Sequence, residues 1–133
     1  MKHLYILFIS IILITAPVFG EKPMFAAEQV VERHMTAASG RDLNLLMRDY
    51  AADAVLITPD GIYKGTPEIQ SAFAQLLSQE PYPVLTMTKQ VYADNIGYIV
   101  WTMKAGESES VNGSDTFIVR DDKIIVQTVV IFP

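Results

Sequence analysis

Cysteine is absent from the 133 residues. The chain therefore has no disulfide framework, no thiolate metal site and no cysteine nucleophile, and no lipid-anchored cysteine can follow an export signal. Histidine is scarce too. Only His3 and His34 occur, which leaves no room for the familiar multi-histidine metal sites. Basic residues are few: ten Lys and Arg stand against fifteen Asp and Glu, for a net charge of −5 and a pI near 4.8. That balance argues against nucleic acid as a partner, because phosphates are met by clustered Lys and Arg. Charge of either sign is low at 19 %, while half of the residues are apolar. Disordered chains have the opposite composition. Internal repeats and low-complexity stretches are also missing, and the length suits one domain.

The mean hydropathy of +0.26 is high for a soluble protein, and its source lies at the start of the chain. Lys2 and His3 precede an apolar run from Leu4 to Ile14 that only Ser10 interrupts, and Gly20 stands before Glu21. A positive start, a short apolar stretch and a small residue at the cleavage point resemble a secretory signal. The run is shorter than the ~20 residues a membrane-spanning helix needs. Residues 1–20 are expected to be a cleaved signal peptide, and residues 21–133 an exported domain, periplasmic or secreted, with no membrane contact after cleavage. Lys2 is the only charged residue removed, so nine basic residues remain against fifteen acidic ones, a net −6. Without disulfides, the exported domain must be held by its core alone.

The mature chain divides into two kinds of pattern. Residues 24–39 read as a helix, with Ala26, Val30, His34 and Ala37 on one stripe and Gly40 at its end. Asp42 is placed to cap a second, short helix with Leu43, Leu46, Met47 and Tyr50 at helical spacing. Residues 54–58 read as a strand, Pro59-Asp60-Gly61 as a turn and Ile62-Tyr63 as a short return strand. A third helix is expected to start with Thr66 as cap, Pro67 at the first position and Glu68 at the positive dipole end. Its core stripe is Ile69, Ala72, Phe73, Leu76 and Leu77, and Pro81 and Pro83 stop it. Four strands follow, at 84–92, 96–105, 110–120 and 124–132, separated by Asp94-Asn95, Gly106 and Asp121-Asp122. Asn112-Gly113 competes with Gly106 as the hairpin turn, and Asn112-Gly113-Ser114 also matches a glycosylation sequon. Helices set apart from a run of antiparallel strands define an α+β domain. Three helices on the concave face of a curved sheet leave room for a pocket.

Several residues in this frame resemble a known family. Tyr50-Ala-Ala-Asp53-Ala-Val-Leu-Ile-Thr-Pro59-Asp60-Gly61, then Tyr63-Lys-Gly65 and Glu68-Ile69, is similar to the cone-shaped NTF2-like superfamily. Within it the match is to the SnoaL-like and DUF4440 branch, relatives of ketosteroid isomerase. Gly40-Arg41-Asp42-Leu43 resembles the turn between that family's first two helices, and the resemblance spans most of residues 24–132. It implies a cone-shaped fold in which three N-terminal helices pack on a curved, mostly antiparallel sheet. This fold hosts isomerases, cyclases, dehydratases and hydrolases as well as members without chemistry.

Carried over residue by residue, the isomerase site is mixed. The family's general base precedes the proline of the first turn, and here that position is Thr58, which cannot take a proton near neutral pH. The helix-borne oxyanion donor corresponds to His34. The acidic donor on the penultimate strand corresponds to Asp115, which shares a strand face with Phe117 and Val119.

Each candidate has a plain reading beside its functional one. His34 is either a buried histidine satisfied by a backbone carbonyl or by Tyr63, or a pocket acid, base or donor. Asp115 is either a solvated residue near a turn or a buried carboxylate of raised proton affinity, paired across the pocket with His34. Thr58, Asp60 and Tyr63 cluster at the first turn, where Asp60-Gly61 is ordinary turn chemistry and the three are also candidate ligand contacts. Trp101 shares a face with Ile99 and Met103, as core or as a platform for a flat ligand. Asp53 braces the strand start, and Glu107 to Glu109 form a solvated tip. No metal and no cofactor are expected.

Three functions remain open. One is an exported module that binds a small apolar ligand in the cone, without steroid isomerase activity because Thr58 replaces the base. Another is an isomerase, cyclase, dehydratase or hydrolase using His34 and Asp115. The last is an interaction or immunity-type protein. The resemblance also implies a homodimer through the outer sheet face.

Overall fold

The computed structural model describes residues 24–133. The signal read at residues 1–20 lies outside the described residues.

Nine elements follow in the order α1 (Ala26–Ser39), α2 (Leu43–Arg48), β1 (Tyr50–Thr58), β2 (Gly61–Lys64), α3 (Gly65–Leu77), β3 (Val84–Ala93), β4 (Ile96–Lys104), β5 (Val111–Arg120) and β6 (Lys123–Phe132). The α+β order is as the sequence implies. Helix α1 buries Ala27, Val30, Val31, His34, Met35 and Ala37, so its stripe begins at Ala27, and Ala26 is exposed. Asp42 caps α2, its side chain accepting from Leu45 N at 3.0 Å. Tyr50 does not continue that helix. It opens β1 instead, because α2 stops at Arg48 and the chain turns at Asp49. Helix α3 starts one residue before the expected cap: Lys64 occupies the cap position and Gly65 the first helical one. The Glu68 carboxylate accepts from Lys64 N at 2.6 Å, which ties the cap residue's own amide to the first turn.

The six strands form one sheet in the order β2-β1-β6-β5-β4-β3. Every neighbouring pair is antiparallel except β1 and β6, which are parallel. The two-residue turn Asp121-Asp122 joins β5 to β6 with both residues at positive φ, 51° and 60°, the twist that suits a tight hairpin. Between β4 and β5 the turn is made at Gly106, with φ 57°. Asn112-Gly113 lies within β5, so the competition between the two hairpin signals goes to Gly106.

One face of the sheet meets the helices. Ile99, Trp101, Asp115, Phe117 and Val119 are all buried there, as the alternation within β4 and β5 requires. Helices α1 and α3 divide the sheet: α1 packs on β3, β4 and β5, and α3 on β1 and β2. The stripe of α3 buries only Ile69 fully, and Ala72, Phe73, Leu76 and Leu77 keep part of their surface. That incomplete burial is the pocket described below. The opposite face exposes Ile57, Ile62, Val130 and Phe132 on β1, β2 and β6.

Gly113 faces Trp101 across the β4–β5 ladder. A Cβ on Gly113 would lie 2.3 Å from the Trp101 ring and 2.6 Å from the Val130 carbonyl. The glycine is therefore required by a close approach of the indole. Gly113→Ala is expected to cost about 1–3 kcal/mol, the usual range for overpacking. Urea unfolding measures it, and an unchanged midpoint would mean that the indole can move aside freely.

Candidate functional site

A pocket of about 370 Å³ opens between α3, the end of α1 and the inner sheet face. All six side chains singled out in the sequence line it: His34, Thr58, Asp60, Tyr63, Trp101 and Asp115. Asp60 is exposed, and Thr58 and Tyr63 are half-buried, so these three stand towards the mouth. Trp101, Asp115 and His34 are buried at 4 %, 8 % and 2 % exposure and form the floor.

The floor is organised around Asp115. Its Oδ1 accepts from Trp101 Nε1 at 2.8 Å, and its Oδ2 accepts from Gln127 Nε2 at 2.8 Å. Gln127 sits on β6, across the β5–β6 ladder, and Trp101 on β4, across the β4–β5 ladder, so the flanking strands clamp the carboxyl from both sides. The Gln127 carbonyl then accepts from the Tyr50 hydroxyl. The Tyr50 oxygen lies 3.4 Å from His34 Nε2. On its other side, His34 Nδ1 faces Asp49 Oδ2 at 3.6 Å, slightly longer than a hydrogen bond. Neither of those two atoms has another partner among the described residues. Arg33 Nε holds Asp49 Oδ1 at 2.6 Å, and the Arg33 guanidinium also reaches the Asp122 carboxylate and carbonyl at 3.5 and 3.3 Å.

His34 and Asp115 thus share the pocket without a direct bond, contrary to the expected pair. Tyr50 and Gln127 stand between them, and the carboxylate beside His34 is Asp49. These three residues carry the polar chain, and the sequence reading did not single them out. Helical spacing alone puts Tyr50 on the stripe of α2. Asp49, at a helix end, looks like a solvated cap. Gln127 had one signal, a polar residue on the inner parity of an otherwise apolar strand. Helix α1 places His34 edge-on to Tyr50, Phe73 and Phe117, with ring centroids 5.2, 6.0 and 5.8 Å away. The imidazole is thereby fixed by packing.

Burial and partners set the proton affinities. Burial raises the Asp115 carboxyl above its ordinary value, against the pull of the Trp101 and Gln127 donors and of His34. Asp49 is also pushed up by burial, but His34 and Arg33 outweigh that and hold it below its ordinary value. Burial raises the Tyr50 hydroxyl strongly, and Asp115 and Asp49 add to the effect, so Tyr50 keeps its proton.

A single hydroxyl proton gives the chain two consistent directions. When Asp115 is ionised, Gln127 donates to it and Tyr50 donates to Gln127, as observed. His34 Nε2 must then be the donor to Tyr50. When Asp115 is neutral and donates, the amide turns over, Gln127 donates to the Tyr50 oxygen, and Tyr50 donates to Nε2. The direction of donation at Gln127 thus links the carboxyl at one end to the imidazole at the other.

Three helices over a curved, mostly antiparallel sheet, with a pocket on the inner face, define the NTF2-like class of fold. The SnoaL-like domain model matches residues 31–127, and the chain belongs to that family. Among solved structures, a candidate ketosteroid isomerase from Kribbella flavida superposes with a TM-score of 0.73 at 14 % identity, over 81 % of this chain and 78 % of that one. A candidate polyketide cyclase from Sinorhizobium meliloti gives 0.68 at 15 % identity, over 77 % and 94 %. A protein with a ketosteroid isomerase-like fold from Catenulispora acidiphila, solved in complex with trimethylamine, gives 0.66 at 19 % identity, over 77 % and 84 %. No curated protein matches the chain by sequence.

The two carboxyls have opposite effects on acid stability. Asp49 is lowered in the folded state, so its contribution is present above the unfolded value of about 3.9 and is lost as pH falls through the folded value. Asp115 is raised, so its contribution is complete below the unfolded value and is lost as pH rises through the folded value. Asp49→Asn is expected to lower the melting temperature more at about pH 7 than at about pH 3. For Asp115→Asn the variant should look better, relative to wild type, at the higher pH. Parallel pH profiles for the two variants would contradict this assignment.

Proposed function

We propose that this domain binds a small, largely apolar molecule in the pocket beneath α3, with Asp115 as its polar anchor. The setting of that carboxyl carries the reading. It lies at the floor of an apolar pocket, and each oxygen is held by one N–H, so its position is fixed before any ligand arrives. Each oxygen keeps a lone pair for a ligand donor. The volume falls within the ~300–1,000 Å³ of small-molecule sites. Leu56, Phe73, Leu85, Met103 and Val129 line the walls and favour a ligand that leaves water.

Steroid isomerisation by the family's route is not part of this function. Thr58 lines the pocket and holds the position that the family resemblance gives to the base, and a threonine hydroxyl does not accept a proton near neutral pH. The raised proton affinity of Asp115, linked through Gln127 and Tyr50 to His34, favours one second reading. In it Asp115 gives or takes a proton as the acid/base group of an isomerase, lyase or hydrolase.

We also infer from the apolar run Leu4–Ile14 that the domain works after export, in the periplasm or outside the cell. The exposed Ile57, Ile62, Val130 and Phe132 support a homodimer on the outer sheet face. Sedimentation is expected to give twice the chain mass, and Val130→Lys should shift it to the monomer. A monomeric wild type would remove the dimer.

Cyclohexylmethanol, a neutral probe, is expected to shift the NMR signals of pocket-lining residues, and Ala72→Trp, which fills the pocket from α3, should abolish those shifts. If neither cyclohexylmethanol nor cyclohexylmethylamine moves the wild-type signals, the binding reading fails. A β,γ-unsaturated 3-ketosteroid should remain unconverted by the wild type, and conversion would restore isomerase activity to consideration.

A further inference from the structure

The geometry points to an organic ammonium ion, a protonated amine carrying apolar substituents, as the class of ligand that this pocket takes. The inference rests on the binding reading above and narrows it.

The donor and acceptor inventory of the floor comes first. Trp101 Nε1 and Gln127 Nε2 are good N–H donors, and both are spent on Asp115. The Tyr50 hydroxyl is spent on Gln127. The His34 nitrogens face Tyr50 and Asp49, so what the floor has left to offer is the remaining lone pairs of a carboxylate. A ligand carbonyl or carboxylate would bring acceptors to acceptors and would leave the open lone pairs of Asp115 unmet, which is costly in a buried setting. The ligand must bring a donor.

Charge then separates a cationic donor from a neutral one. Among the described residues that line the pocket there are two carboxylates, Asp115 and Asp60, and no Lys or Arg. The one guanidinium of the polar chain, on Arg33, is engaged with Asp49 and Asp122 at its far end. Asp115 is thus a buried carboxylate whose close partners are both neutral. An isolated buried charge is poorly tolerated unless a countercharge meets it, and the open side of this one is the cavity. A protonated amine supplies the donor and the countercharge together.

The walls fit the same class. Trp101, Tyr63 and Phe73 line the pocket, and aromatic rings stabilise cations that have left water. Leu56, Leu85, Met103 and Val129 suit alkyl or cyclic substituents. At about 30 Å³ for each small group, 370 Å³ admits a ligand of about a dozen non-hydrogen atoms. Asp60 at the mouth adds an acidic group on the entry path.

Three probes of one shape test the inference on the full chain by calorimetry: cyclohexylmethylamine, cyclohexylmethanol and cyclohexanecarboxylate. At neutral pH the amine should bind about tenfold or more tightly than the alcohol, and the carboxylate should not bind. In Asp115→Asn the amine-to-alcohol ratio should fall to about one. The wild type offers a second measurement should that variant not fold. The titratable groups facing Asp115 are Asp60 and Tyr63 towards the mouth, and Tyr50, His34 and Asp49 along the polar chain. As pH rises and Asp115 ionises, affinity for the amine should rise while affinity for the alcohol does not. An alcohol that binds as tightly as the amine, or a preference for the carboxylate, overturns the ammonium inference and leaves the pocket reading standing. Binding of none of the three overturns both.

Discussion

A carboxyl group on the inner face of a sheet must be met by donors, and the donors that meet Asp115 determine much of what surrounds it. Trp101 reaches it only because Gly113, its cross-strand partner, has no side chain. Gln127 reaches it only because β6 lies against β5 in the observed register, with Gln127 beside Tyr50 and opposite Phe117. The amide has a second end, which needs a donor of its own, and the Tyr50 hydroxyl supplies it. The sequence of partners continues through His34 and Asp49 to a guanidinium at the surface. Strands from both ends of the chain and the first helix are tied to one buried oxygen pair. A network of this kind is most consequential when every member is satisfied. Here the weak links are the two contacts of His34, at 3.4 and 3.6 Å, so the imidazole is the place where the network yields first.

Stability and binding compete for the same residues. With no disulfide, the domain depends on packing between helices and sheet. Helix α1 meets that need with a fully buried stripe. Helix α3 does so only in part: Ile69 is buried, while Phe73 and Leu76 keep surface towards the cavity. The missing contact is the pocket itself. A helix seated less tightly than its neighbour is also the element best placed to adjust to an occupant.

Much of this was legible in the residues. Alternation put Trp101 on one face of β4 with Ile99 and Met103, and Asp115 on one face of β5 with Phe117 and Val119, and the turn chemistry of Asp121-Asp122 set the hairpin. Asp42 capped its helix, and the family pattern around Tyr50 to Gly65 pointed to the fold. The six candidate side chains do line one pocket. The connections between them were not legible. Hydrogen-bond partners 16 and 77 residues apart, as Tyr50 is from His34 and Gln127, leave no trace in local spacing. A hydrophobic residue one turn after Leu46 and Met47 satisfies helical periodicity, so spacing alone extends the helix to Tyr50. Only the chain reversal at Asp49 moves it into a strand. Thr66 has the side chain of a good cap, but the helix begins at Gly65 with Lys64 as the cap residue, which puts Thr66 inside the first turn.

The parallel pairing of β1 with β6 carries a consequence for how the molecule comes into being. The last strand in the chain is an interior strand of the sheet, with β1 on one side and β5 on the other. Until residues 123–132 are available, β2 and β1 have no bond to the other strands, and the two halves of the cone remain separate pieces. Joining them requires contacts that span most of the chain, the kind that closes slowly. Gln127 arrives on that same strand. The pocket and the sheet are therefore completed in one late event, and a chain shortened by its final ten residues would lose its architecture and its chemistry together.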